Sequence, residues 1–254
     1  MYRFLRTRRW LGFAALTLVL AAVMTGLGRW QLSRYQARHA VNARIAAAAR
    51  ATPVPVGQVL TVDRPPAGDL AWTRVETAGR YDPAHQILAR DRTVDGTVGF
   101  EVLVPLVLDD GSAVLVDRGW LAPASTGANT PPAVPAAPDG RVTVTGRVHL
   151  PESRPDRPRT VDGHIEVRRI SPAVLAPVLP YRLLGGYLVV DAQQPAADPA
   201  FGTIASDHQN DWLNAGYTVQ WWAFALLTLG AFGWAARREA RGDRPPDWRA
   251  GLAE

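Results

Sequence analysis

Residues 11–27 read LGFAALTLVLAAVMTGL and residues 213–236 read LNAGYTVQWWAFALLTLGAFGWAA, and neither run holds a charged residue. A helix rises about 1.5 Å per residue, so about 20 mostly apolar residues cross the hydrocarbon core of a bilayer. Both runs reach that class, the first near its short end, and no stretch between them does. The sequence therefore predicts membrane-spanning helices over 10–28 and 213–236, with a large middle segment that stays out of lipid.

Arginine placement predicts the orientation. Arg3, Arg6, Arg8 and Arg9 precede the first run, and Arg237, Arg238 and Arg241 follow the second. Positive flanks favour the cytoplasmic side. Residues 29–213 hold 19 arginines and 19 acids, so the net charge of +5 belongs to the ends. The expectation is a two-pass protein of the cell membrane, with a cytoplasmic N-terminus (1–9), a cytoplasmic tail (237–254) and an extracytoplasmic domain (52–212). The high pI is then a topology signal, and no nucleic-acid partner is expected. A cleaved signal peptide also begins with basic residues and an apolar run. Here no small-x-small cleavage site follows; GRWQLSRYQARHAVNARIAAAAR continues with good helix formers and predicts a helical extension over 29–51, ending before Pro53 and Pro55.

The middle segment changes period. TRVETAGRY, HQILARDRTV, TVGFEVLVPLVL, SAVLVDRGWL, RVTVTGRVHL, HIEVRRI and YLVVDAQ are rich in β-branched residues and separated by turn signals. Asp95-Gly96 between two such runs predicts a hairpin. Ser171-Pro172 can start a short helix. Residues 122–140, rich in proline and alanine, predict a flexible loop. About seven strands joined by short turns predict a mainly antiparallel sheet, sandwich or small barrel. With the two spans, the fold class is an α+β membrane protein.

Little in the chain suggests catalysis. With no cysteine, and methionine only at Met1 and Met24, disulfides, thiolate metal sites, a cysteine nucleophile and a soft copper carrier are excluded. The five histidines, His39, His85, His149, His164 and His208, form no i, i+4 pair. No serine sits in a nucleophile elbow, and no phosphate-binding glycine loop is present. The expectation is a protein that is not an enzyme.

The border of the second span is more informative. Tyr217, Gln220, Trp221 and Phe224 share a helix face. An interfacial aromatic belt explains the tryptophans, but a glutamine within a span usually bonds another helix or lines a site. Trp30 and Gln31 lie at the corresponding boundary of the first helix. Ala22 and Gly26 form a small-xxx-small pair that would let two helices approach. Such a slot could hold a flat apolar ligand or clasp another membrane protein. Arg118, at a strand end, could bind a carboxylate, or pair internally with Asp91 or Asp117.

GRWQLSRYQ at 28–36, the block at 79–121 ending VLVDRGWL, and YTVQWWAFAL at 217–226 occur in that order. With the two-span layout they resemble the surfeit-locus protein one family of cytochrome c oxidase assembly factors. The resemblance implies a non-catalytic role in building the heme-copper oxidase, assisting heme a insertion into its large subunit. The implied partners are oxidase subunits, heme a synthase and the lipid bilayer. Arg118, Gly119 and Trp120 match the family's RGW, and Tyr217, Gln220 and Trp221 its second-span signature. The family pattern places a histidine, the expected heme ligand, three residues before this tyrosine. Here that residue is Asn214, a poor iron ligand. Either His208 substitutes, or heme a is held without that ligand, or this chain does not hold heme tightly. The alternative function is a membrane-anchored extracytoplasmic sensor or ligand-binding module. The sensor reading would want an output domain after the second span, where about 18 residues follow.

Overall fold

The computed structural model describes residues 3–127, 130–161, 163–202, 204 and 212–242. In chain order its principal elements are α1 (Arg8–Arg50), β1 (Val54–Pro55), β2 (Arg74–Tyr81), β3 (Ile87–Val94), β4 (Thr97–Val107), β5 (Ser112–Leu121), β6 (Val142–His149), β7 (Arg159–Val161), β8 (His164–Val167), α2 (Pro172–Leu175), β9 (Arg182–Gln194) and α3 (Trp212–Arg241). They fall into two units: residues 1–43 with 209–254, and residues 44–208.

α1 runs unbroken for 43 residues because nothing in it stops a helix: it has no proline, and alanine, leucine and arginine dominate. α3 runs for 30 residues. Each contains a window long and apolar enough to cross a membrane, and only 11% of each window is buried. The core helix of a soluble domain would be mostly buried. Leu18, at 63% exposed, and Leu226, at 70%, instead present leucine outward, as a lipid-facing helix does.

The sheet unit is a small barrel. All nine strands belong to one sheet, in the order β1-β2-β6-β9-β5-β4-β3-β8-β7, and β2 also pairs β4. That extra pairing, Arg80 to Val107 and Tyr81 to Leu106, closes a ring of β2, β6, β9, β5 and β4. Numbered along the chain, the ring closes 1-2-3-5-4-1 with its third and fifth strands parallel, as OB-type barrels do. Such a fold assigns no function by itself.

Among the described residues six strand pairings are antiparallel, as expected, and three make the sheet mixed: β1–β2, β3–β8 and β5–β9 are parallel. A parallel pair needs a long crossover. The excursion through β6, β7, β8 and α2 provides it for β5 and β9. Among the described residues nine strands form rather than about seven, because two- and three-residue edges such as β1 and β7 carry too little pattern to read. Asp95 and Gly96 have φ of 48° and 80° between paired Val94 and Thr97, the two-residue hairpin that their chemistry favours.

Two apolar cores explain the longest hydrophobic runs. Val75, Phe100, Val102, Val104, Val144 and Leu188 fill the barrel. Ile87, Leu103, Leu115, Ile170, Leu175 and Leu183 form a second core on its outer flank, with α2 and β8 contributing. β4 and β5 are therefore buried on both faces, which is why FEVLVPLV and AVLV do not alternate.

Candidate functional site

The helix pair is built on a heptad seam. α1 turns Trp10, Ala14, Thr17, Ala21, Met24, Gly28 and Gln31 inward, at alternating spacings of four and three. α3 does the same with Asn214, Thr218, Trp221, Ala225, Thr228 and Phe232. That period keeps one stripe of each helix facing the other. Trp10 meets Phe232 edge to face at 5.8 Å, and the Thr228 hydroxyl lies 3.7 Å from Met24 Sδ. The pair is thus antiparallel. Gly28 is required because a Cβ there would run into the Trp222 indole.

The seam corrects the expected small-residue contact. Ala22 and Gly26 are exposed, and a Cβ at Gly26 would meet nothing within 4 Å. The seam passes through Ala21, Met24 and Gly28, so those two residues face away. It also divides the expected α3 face. Trp221 is half-buried, but Tyr217 is 48% exposed and Gln220 is also exposed. Gln220 thus faces outward from the helix pair. On α1, Trp30 is 52% exposed, with the Arg34 guanidinium 5.3 Å above its ring. That is the arrangement of a residue anchored among lipid headgroups.

On its inward stripe α3 buries Thr218, 4% exposed, and Asn214, 8% exposed. Its carbonyl oxygen accepts a 2.8 Å hydrogen bond from the Thr218 hydroxyl, while its side-chain Nδ2 has no partner. Gln31 Oε1 on α1 is likewise buried without a partner. A donor and an acceptor are thus left open on the inward stripes of α3 and α1. Each such group costs about 1–3 kcal/mol while unmet, so the end of the pair at Asn214 and Gln31 is the one prepared to take up a polar group.

These residues do not fit axial ligation of heme iron. The amide nitrogen of Asn214 has no lone pair free for a metal, and its oxygen is a weak ligand compared with imidazole. His39 of α1 stacks on Tyr35 at 5.6 Å. His208 lies outside the described residues. Among the described residues, no group of three His, Cys, Asp or Glu side chains could hold a metal ion.

Arg118 lies in the other unit and is engaged in structure. β5 is bulged where it leaves its register with β4, between Asp117 and Trp120. A bulge re-aims side chains, and Gly119, at φ 141°, supplies the conformation. Arg118, 4% exposed, donates to the carbonyls of Pro135 and Ala136, each at 3.0 Å. Its guanidinium lies 4.6 Å above the Phe201 ring and 5.7 Å from that of Tyr81. Trp120 Nε1 donates to the Arg92 carbonyl at 2.9 Å. Arg118 makes no ion pair with Asp91 or Asp117; Asp91 pairs instead with Arg168 at 3.1 Å. The RGW triplet is a fastening. It ties part of the proline-rich segment to the barrel, and Val134 and Ala137 of that segment pack on the core.

Sequence reasoning missed a buried charged cluster beside this bulge: Arg92, Glu101, Asp117 and Glu152. Its four members come from separate elements with no shared spacing. The usable signal was the acid inside each of two otherwise apolar strands, Glu101 in FEVLV and Asp117 in VLVD.

The chain matches the SURF1 family over residues 18–226. It is 36% identical over 251 residues to uncharacterized SURF1-like proteins of Mycobacterium bovis and Mycobacterium tuberculosis, covering 93% of this chain and 90% of theirs. A SURF1-like protein of Dictyostelium discoideum is 30% identical over 109 residues, 41% of this chain and 40% of that one. Two candidate membrane helices, a barrel between them and a family match spanning both lead to one conclusion: the chain belongs to the SURF1 family, which is associated with cytochrome c oxidase assembly.

Proposed function

We propose that this chain is a non-catalytic assembly factor for heme-copper cytochrome c oxidase, acting when heme a enters the large catalytic subunit. The observation that carries this reading is the family match, which runs from the first span through the barrel into the second. The working part is the end of the helix pair at Asn214 and Gln31, where a donor and an acceptor stand open. In lipid such groups find partners only in protein or ligand, so a transmembrane segment of the oxidase completes them. Heme a is handled in that complex without an axial ligand from Asn214. The barrel is extracytoplasmic and both termini are cytoplasmic, as the arginine flanks favour.

The test is co-isolation from membranes during oxidase synthesis. Tagged wild-type chain should carry the large oxidase subunit, and the Asn214→Leu variant should carry several-fold less while accumulating to the same level. Equal recovery with both would remove the helix pair from the reading. No large subunit with either would remove the assembly role. Reporter fusions after Gly140 and after Gly242 should report opposite sides of the membrane.

A further inference from the structure

The outer flank of the barrel carries a cavity of about 330 Å³. Its floor is charged and mostly buried. Arg92 of β3 reaches Glu101 of β4 at 3.1 Å and Glu152, which follows β6, at 2.9 Å. These side chains are 14%, 14% and 22% exposed. Asp117 of β5 lies deeper, at 1% exposed. Its Oδ1 accepts the Gly119 N–H at 3.1 Å, and its Oδ2 finds no donor. Burial, and then the charge of neighbouring Glu101, hold the Asp117 carboxyl well above the usual carboxylate range. The protonated form of Asp117 is thereby favoured when the cavity is empty, with Glu101 able to accept its proton in a hydrogen bond.

The walls are aromatic. Trp72 meets His149 edge to face at 4.4 Å, and His149 meets Tyr187 at 5.3 Å. Burial, with Arg147 nearby, pushes His149 down to about 4, so it brings no positive charge at neutral pH. The Tyr187 phenol is pushed up by burial and by the surrounding carboxylates, and stays neutral. The exposed rim contains Asp91, already paired with Arg168, and Asp95. Trp72 adopts φ 71°. A bulky residue in that region is strained and persists where the surroundings impose it, often at ligand clamps.

The floor thus gathers three carboxyl groups and one arginine beneath an aromatic wall. The geometry points to a binding site for an organic cation, a primary ammonium or guanidinium group, with Asp117 as its counter-ion and Trp72 as its π-face. This inference does not depend on the oxidase reading. A cavity at the small end of ligand sites admits a side chain or a small amine and excludes a large cofactor. Carboxylates would hold the charge, and an indole face is the best ring for a cation. Binding is an exchange: the cation keeps its charge, the Asp117 O–H bond breaks as its proton passes to solvent, and no other covalent bond changes. Two sources share this chemistry, a free small amine or the basic side chain of a partner polypeptide.

The test is titration calorimetry on the full chain in detergent, with methylguanidinium and with the peptide acetyl-Gly-Arg-Gly-amide as probes. At least one should bind saturably at or below about 10 mM, the range of a single charge-assisted contact. Affinity should rise with pH, by at most about tenfold per pH unit, the limit for one proton released. Buffers of different ionisation enthalpy should count that proton. Asp117→Asn, which keeps the shape of the neutral acid, should weaken binding tenfold or more without lowering the thermal midpoint. Trp72→Leu should weaken it several-fold and decides the matter if the first variant fails to fold. Equal affinity for both probes assigns a free amine as the ligand, and a much tighter peptide assigns a partner's side chain. No saturable binding of either probe, or a folded Asp117→Asn that binds like the wild type, would overturn the site.

Discussion

At Arg118 two hydrogen bonds decide what a family-signature residue does. A guanidinium at a strand end could bind a ligand's carboxylate, but here its two terminal nitrogens are engaged by the Pro135 and Ala136 carbonyls. Charge-assisted bonds contribute about 1.5–3 kcal/mol each, enough to hold a segment that has no ladder of its own. Arg118→Leu should therefore make residues 122–140 several-fold more sensitive to limited proteolysis, with the barrel left intact. Unchanged cleavage would show that the core contacts of Val134 and Ala137 suffice. His149 is the other informative residue. Its folded value lies near 4 against an ordinary 6.5, from burial first and Arg147 second. A depressed base binds fewer protons folded than unfolded, so its contribution is complete above about 6.5 and is lost as pH falls through about 4. Asp117 runs the opposite way, since a raised carboxyl stabilises at low pH and less so as pH rises. The informative quantity is thus the stability difference between wild type and His149→Phe, which should move toward the variant between pH 6.5 and 4 and stay flat above. Neither residue's role was legible in the sequence, because each is set by groups from distant strands.

At the scale of elements, the apolar runs marked the two helices and Asp95-Gly96 marked its hairpin, because those signals are local. The rotation of the helices was not legible. A 3.6-residue repeat suggested Tyr217, Gln220 and Trp221 as one working face, whereas the packed stripe follows a heptad through Asn214, Thr218 and Trp221. Uniformly apolar sequence does not distinguish the two, since lipid accepts every face. The seam can be checked directly because the chain has no cysteine. Met24→Cys with Thr228→Cys should cross-link in membranes, following the 3.7 Å contact between those side chains. Val19→Cys with Leu226→Cys, at 58% and 70% exposed positions, should not. Adding Gly28→Leu should displace Trp222 and reduce the first cross-link several-fold. Closure of the barrel was equally illegible, since β2 and β4 meet at only two residue pairs.

At the scale of the whole molecule, a pair of candidate membrane helices and a barrel share one chain of the SURF1 family. The two long apolar helices were legible because hydropathy is summed over many residues. The nature of the site was not, because it depends on a few side chains, and the residue that the resemblance would make a heme ligand is Asn214. The central claim concerns oxidase assembly, and it does not require heme a to be bound by this chain. The most direct measurement is a reduced-minus-oxidised difference spectrum of membranes from a strain lacking this protein, alongside the heme a extracted from the same membranes. The account predicts a fall in assembled oxidase, with heme a still synthesised and the defect reversed by the wild-type chain. Oxidase spectrum and activity at wild-type levels in the deletion strain would contradict it.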